Sequence, residues 1–202
     1  RLFKKDLSIY KKSASRRPAY DLTFSAPKSI SIVALVDDNK ELINAHREAV
    51  RFALSVVESE YSQITRIDSE KNRRVHENSG NIVAALFEHD VSRKLDPQLH
   101  THCVIMNMTN HCGEWRALNS DGFYYRSKKI GCVYQNELAR RVMNLGYDIK
   151  LNQNGTFDIV GYSEEQLRFF SKRSEQLKDL GATSQKEATK LVKVERDKKV
   201  KK

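Results

Sequence analysis

The hydrophobic positions along the chain change period several times, and each change marks an element. "YDLTFS" (Tyr20–Ser25) alternates, with Leu22 and Phe24 on one side and Asp21, Thr23 and Ser25 on the other, which predicts a half-buried strand. After the proline in "APKS", "SISIVALV" reads as a second β-rich run. From about Lys40 to Tyr61 the period is helical: Leu42, Ile43, Val50, Leu54, Val57 and Tyr61 form one stripe, and Asp37, Asp38 or Asn39 can cap its start. "NIVAALFEHD" and "LHTHCVIMNMT" predict two strands, and the connection between them, containing Asp96-Pro97, suits a hairpin. "EWRAL" predicts a short strand, and a helix over roughly Arg126–Leu145 stops at Gly146. "YDIKL", "NQNG" and "TFDIV" predict a second hairpin, after which Ser163 and Gln166 form a capping box for a helix through about Lys178. The basic, aperiodic residues 1–18 read as an extension and 184–202 as a lysine-rich helix or linker, leaving 19–183 as one α+β domain.

Composition narrows the class. Hydrophobic residues make up 39% and charged residues 31%, a soluble globular balance, and no apolar run approaches the length of a membrane-spanning helix. The chain starts at Arg1 without a methionine or a signal-peptide pattern, so a fragment of a longer protein is expected. Three cysteines, an odd number with no C-x-x-C, point to a reducing compartment rather than to a disulfide framework or a structural zinc. Thirty-six Lys and Arg against 26 Asp and Glu leave a net charge of +10, which favours a polyanionic partner, nucleic acid above all. Part of that excess sits in "KLVKVERDKKVKK" (Lys190–Lys202), which reads equally well as a solvated end.

The densest chemistry lies in "EHDVSRKLDPQLHTHC", where three of the six histidines fall between positions 89 and 102. On a strand, residues i and i+2 share a face, so His100 and His102 project together, ~7 Å apart at their Cα atoms. Antiparallel pairing of the two strands would bring His89 onto the same face, giving three neutral nitrogen ligands on one side of a divalent ion and an open side for chemistry. The bland alternative is a coincidental surface H-x-H beside a hydrogen-bonded hairpin histidine.

These residues also carry a resemblance. "HDVSRKLDPQLHTH" resembles the three-histidine motif of conjugative relaxases of the TrwC/TraI (MobF) type, within the HUH endonuclease superfamily, and "YDLTFSAPKSISI" resembles the motif that precedes it there. "GEWRALNSDGFYYRSKKIGCVYQNELARRVMNLGYDI" and "GYSEEQLRFFSKRSEQL" are similar to later parts of the same domain, so the likeness spans nearly all of Tyr20–Thr183. The resemblance implies an antiparallel β-sheet palm flanked by helices, the HUH or ferredoxin-like relaxase fold, with a helical C-terminal extension. It implies a DNA-nicking transesterase: a tyrosine attacks one strand at the origin of transfer, and the phosphotyrosine link is later resealed. On this chain His89, His100 and His102 match the ligands of a divalent ion (Mg²⁺, Mn²⁺ or similar), and Asp21 matches the acidic residue that orients a histidine ligand or takes the tyrosine proton.

The nucleophilic tyrosines of that family lie well before the "YDLTFSAPKS" motif, so the nucleophile is expected upstream of Arg1, and this chain alone is expected to be cleavage-impaired. Tyr10 sits too close to Asp21 for that role; Tyr20, Tyr124, Tyr125 and Tyr134 read as packing residues or DNA contacts. Lys28, Arg93, Gln98 and Arg116 lie in or near the motif loops, where phosphate contacts would be useful. Trp115, Tyr124 and Tyr125 could stack on single-stranded bases, although Trp115 would serve as well for a core anchor. The implied partners are single-stranded origin DNA, a relaxosome and secretion coupling proteins, with no membrane and no small-molecule substrate, in a bacterial cytoplasm from which the protein travels with DNA into recipients. Two other readings remain: a metal nuclease that activates water, and a DNA-binding module without catalysis. No G-x-x-x-x-G-K-[ST] occurs, so helicase activity, if any, would reside elsewhere.

Overall fold

A computed structural model describes residues 17–172 apart from positions 69 and 120; the side chain of residue 124 is also outside the description. Tyr10, the lysine-rich end and the predicted boundary after position 183 fall outside the described residues.

Strand β1 (Ala19–Ser25) is followed by helix α1 (Lys28–Val36) and helix α2 (Lys40–Val56), which runs into a π-helical turn at Val57–Tyr61. Strands β2 (Gln63–Asp68) and β3 (Arg73–Asn78) form a two-stranded ribbon, and β4 (Ala84–Val91) and β5 (Pro97–Met106) form the hairpin predicted from their patterns. Next come β6 (Thr109–His111) and β7 (Glu114–Arg116), helix α3 (Asp121–Asn144), the hairpin β8 (Ile149–Leu151) and β9 (Phe157–Ile159), and helix α4 (Glu164–Phe169). The central sheet is antiparallel with order β1-β5-β4, so the H-x-H strand lies in the middle.

β5 alternates cleanly: Leu99, Thr101, Cys103 and Ile105 are buried, whereas His100 and His102 are half-buried on the opposite face. The buried side meets α1 and α2, with Ile30, Ala34, Leu42, Ala49 and Val50 at or below 1% exposure in the shared core. Asn39 starts α2 by accepting from Leu42 N at 3.1 Å, as the capping expectation required. Buried among those side chains, the Cys103 thiol is pushed up to about 12 by desolvation first and by the Asp21 charge second, which keeps it an inert packing group.

The "SISIVALV" segment corrects the β-rich expectation: it is α1, and Ser29 through Ala34 are all buried. Periodicity cannot separate a short buried helix from a buried strand, and here tertiary contacts override β-propensity. Ser29 Oγ donates to Asp158 at 2.7 Å and accepts from Ile159 N at 3.0 Å; Ser31 Oγ donates to Pro27 O at 3.1 Å and accepts from Leu99 N at 3.1 Å. The two serines thus serve backbone groups of β9 and β5 from inside the core, which they reach because α1 projects them on different sides.

Other boundaries also move. α3 begins five residues before the expected Arg126, because Asn119 Oδ1 accepts from Asp121 N at 2.9 Å and starts the helix there. The capping box at Ser163 and Gln166 is present and α4 closes after Phe169, with Ser171 N donating to Arg168 O, while positions 173–178 of the expected helix lie outside the described residues. The strand expected to run from Leu99 through Thr109 breaks after Met106, and Thr109 begins β6. No element was expected over the polar β2–β3 ribbon.

One buried polar chain holds α2 to the sheet. His46, with 0% exposure, places Nε2 2.8 Å from Thr101 Oγ1 and Nδ1 2.8 Å from the Tyr134 hydroxyl. Desolvation, the largest cause, holds the His46 imidazole down at about 4, so it is neutral in the fold at neutral pH. Its unfolded value is 6.5, so the unfolded chain binds the extra proton first. Stability should therefore be full above about pH 6.5 and be lost as pH falls toward 4, by up to about 3 kcal/mol from this residue. Denaturant melts at pH 7 and 4.5 check this; a His46→Gln chain with an equally steep pH dependence would contradict it.

Candidate metal centre

The register of the β4–β5 hairpin places His89 directly opposite His100, and the alternation of β5 puts His102 on the same face one step along. The three rings meet. Centroids lie 5.3 Å apart for His89–His100, 5.5 Å for His89–His102 and 5.3 Å for His100–His102. Imidazoles sharing one ion at ~2.1 Å from nitrogen would place their centroids ~4.6–5.3 Å apart, so two of the observed spacings sit at the wide end of that range and His89–His102 lies just beyond it. Among the described residues no group of three or more His, Cys, Asp or Glu side chains is arranged to hold an ion as it stands, so the three rings would have to reorient to share one. The register shifts between His89 and Val91, just past the first histidine, before Val91 pairs with Pro97.

Hydrogen bonds orient two of the rings. His102 Nδ1 lies 2.8 Å from Asp21 Oδ2 and 3.1 Å from Oδ1. A carboxylate only accepts, so Nδ1 carries the proton and Nε2 keeps its lone pair for a metal. Asp21 reaches this nitrogen from β1, where Thr23 is the register partner of His102 and Asp21 sits two residues away on the same face. His100 Nδ1 donates to Gln98 O at 2.9 Å, which leaves its Nε2 free in the same way. These tautomers, together with an all-imidazole donor set, fit a divalent ion with open positions.

Thr23 was not anticipated as a site residue. Its Oγ1 lies 3.0 Å from His102 Nδ1 and donates to Asp21 Oδ1 at 3.5 Å. The signal was present in "YDLTFS", where Thr23 follows Asp21 at the i+2 spacing of a strand face.

A family model described as TrwC relaxase matches residues 3–202. The chain belongs to the TrwC relaxase family. It is 42% identical over 177 residues to the multifunctional conjugation protein TraI of Escherichia coli, covering 83% of this chain and 10% of that protein. The metal-bound structure of the conjugative relaxase TrwC in complex with oriT DNA matches with a TM-score of 0.80 at 38% identity, covering 88% of this chain and 65% of that one. TrwC complexed with a 27-mer DNA comprising the recognition hairpin and the cleavage site matches with a TM-score of 0.79 at 37% identity, covering 88% and 68%. This chain therefore spans about one-tenth of TraI and about two-thirds of the TrwC chains. The mixed α and β architecture with antiparallel sheets is that of the TrwC relaxase structures.

Within this TrwC-family fold the four basic and amide candidates sit in different surroundings. Gln98 shares the His100 face of β5 and is half-buried. Arg93 is exposed in the β4–β5 turn, whose backbone is held by Ser92 and Asp96 and passes through Leu95 at φ 61°. Lys28 donates to Pro97 O at 2.9 Å, and desolvation lowers its pKa against the raising effect of Asp96, so it tethers α1 to the start of β5. Arg116 pairs with Glu114 at 2.6 Å and lines a hollow of about 440 Å³ with Thr65, Leu118 and Asn119.

The aromatic candidates divide similarly. Trp115 is 50% exposed on β7 and Tyr125 is 88% exposed on α3, so both offer ring faces to solvent. Tyr20 packs edge-on against Phe123 at 5.9 Å, and Tyr134 is buried in the core. Trp115 is therefore not the core anchor that its sequence context equally allowed.

Proposed function

We propose that this chain is the metal-bearing part of a conjugative relaxase, which cuts and rejoins one strand of DNA at an origin of transfer. The observation that carries the reading is the convergence of His89, His100 and His102 on one sheet face, with Asp21 on the outer nitrogen of His102. His89, His100 and His102 would hold a divalent ion, magnesium, manganese or similar, through their Nε2 atoms or, for His89, either nitrogen. When bound, such an ion supplies positive charge to the non-bridging oxygens of the scissile phosphate and to the charge that develops there.

The chain's own residues do the rest of the local work. Asp21 holds the Nδ1 proton of His102, and Gln98 O holds that of His100, so neither ring needs to change tautomer for the reaction. The sheet face is open, which admits an extended strand of DNA along it. The exposed rings of Trp115 and Tyr125 would stack on unpaired bases, and the net +10 charge would supply non-specific attraction.

In this reading the nucleophile comes from outside the described residues. Tyr20 is on the opposite face of β1 from Asp21, and the Tyr134 hydroxyl is taken up by His46. The attacking tyrosine of the relaxase reading lies upstream, as in the resembled family, and origin DNA, relaxosome and coupling proteins are the partners that reading implies.

The test uses the protein extended upstream by the residues encoded before Arg1, incubated with single-stranded origin oligonucleotide and Mg²⁺ or Mn²⁺. A covalent protein–DNA adduct that forms with the unaltered chain and disappears in His100→Ala is expected. Nicking without an adduct would favour water activation instead, and DNA binding without nicking would favour a module that has lost catalysis. Trp115→Ala should weaken single-stranded DNA binding by ~1–3 kcal/mol, read by fluorescence anisotropy, and no change would remove Trp115 from the interface.

A further inference from the structure

Behind the histidine face, two consecutive residues of α2 hold the two strands that carry the histidines. His46 is hydrogen-bonded to Thr101, the residue between His100 and His102. Arg47 reaches Glu88, the residue before His89, through two bonds of 2.8 and 2.7 Å. Thr101 and Glu88 are themselves register partners across β5 and β4, immediately beside the His89–His100 pair. α2 therefore clasps one rung of the hairpin while the next rung presents the imidazoles.

We propose that His46 and Arg47 are positioning residues for the three-histidine centre, acting through Thr101 and Glu88 on the rotation and separation of β5 and β4. The inference rests on the reading of His89, His100 and His102 as metal ligands. Side chains on the two faces of a strand are levered by one backbone, so fixing Thr101 from below fixes the direction of His100 and His102 above. Metal–nitrogen distances tolerate only ~0.2 Å, which makes the height and twist of the strands matter more here than elsewhere in the sheet.

The chemistry of the anchors suits that task. An apolar contact leaves a strand free to slide, whereas a hydrogen bond between buried groups has a preferred length and angle. A neutral imidazole donates from one nitrogen and accepts at the other, and the hydroxyls of Thr101 and Tyr134 can each take the complementary role. Tyr134 also packs edge-on against the ring, with centroids 5.7 Å apart at 85°, so the imidazole cannot pivot between its two bonds. Tyr134 belongs to α3, and the chain Tyr134–His46–Thr101 thus ties α3, α2 and β5 in one line. The Arg47 fork is half-exposed, with side-chain exposures of 49% and 32% for the pair, so its role is geometric rather than energetic.

The experiment is a Co²⁺ titration of the 202-residue chain, followed by the visible d–d absorption, with Tm measured in parallel. His46→Ala and Thr101→Val are expected to weaken Co²⁺ binding about tenfold and to change the intensity of the band. His46→Gln, whose amide can donate and accept, should recover most of the lost affinity. Arg47→Met should weaken binding about threefold. The comparison is Val142→Ala, a cavity in α3 away from the hairpin, which should lower Tm while leaving Co²⁺ affinity and spectrum unchanged.

Wild-type affinity and spectrum in Thr101→Val would overturn the proposal, even if His46→Ala fails to fold. Equal loss of affinity in Val142→Ala would overturn it too, by showing that general destabilisation suffices. Co²⁺ binding that persists unchanged in His100→Ala would sink the metal-centre reading itself, and the positioning role with it.

Discussion

Alanine at His100 should lower divalent-metal affinity by more than about a hundredfold and strand cleavage by the upstream-extended protein by about a thousandfold, while DNA binding stays near the wild-type level. The separation follows from where each interaction originates. Metal affinity depends on three nitrogens of one hairpin, with ring centroids 5.3–5.5 Å apart, and removing the ring opposite His89 leaves only the diagonal His89–His102 pair. DNA affinity comes from cations and aromatic faces spread over the surface, none of which His100 supports. Calorimetry with Mn²⁺, a cleavage gel and anisotropy on the same preparation would measure the three quantities together. Undiminished cleavage after replacement of all three histidines would eliminate a metal role for them.

Asp21→Asn is the second large effect, and it separates two roles that the sequence left open. In the structure the carboxylate sits on His102 Nδ1 at 2.8 Å, the arrangement of a group that orients a ligand and raises its basicity. An orienting role predicts a loss of about 10–100-fold in metal affinity, with cleavage largely restored at saturating Mn²⁺. A general base for the tyrosine predicts instead that cleavage stays low at saturating metal and that the limb of the pH–rate profile belonging to Asp21 disappears. The short bond to Nδ1 makes restoration by metal the expected result. Thr23→Val should show a smaller loss of the same kind, because Thr23 touches both members of the pair from the neighbouring register position.

The candidate site was legible in the chain because a strand's period of two is unambiguous where polar and apolar residues alternate. "YDLTFS" and "LHTHC" each announce a face, and both faces are found where the alternation places them. Antiparallel pairing of the two strands was enough to expect His89 on the same face, and the register sets it directly opposite His100. Elsewhere the same logic had no purchase. "SISIVALV" is apolar on every side, so strand and buried helix carry the same pattern, and only the hydrogen bonds of Ser29 and Ser31 to distant strands decide for the helix. The β2–β3 ribbon is mostly polar and exposed, with Ile64 its one fully buried side chain among the described residues, too little to show as a hydrophobic pattern. His46 was invisible as a support because its partners, Thr101 and Tyr134, are 55 and 88 residues away.

All three imidazoles come from one hairpin, between positions 89 and 102, whereas Asp21 is 81 residues from the ring it orients. Three donors that close in sequence form a short chelating loop, and the entropy of closing such a loop is small even in an unfolded chain. The denatured protein therefore retains some affinity for the ion, and a ligand that binds both states shifts the folding equilibrium less than its affinity for the native state implies. Thermal stabilisation by metal should consequently fall short of the value expected from calorimetric affinity, and the shortfall should grow with metal concentration. The ion can then be captured before the sheet is complete, and the arrival of β1, which brings Asp21 to His102, becomes the step that turns a bound ion into a correctly presented one.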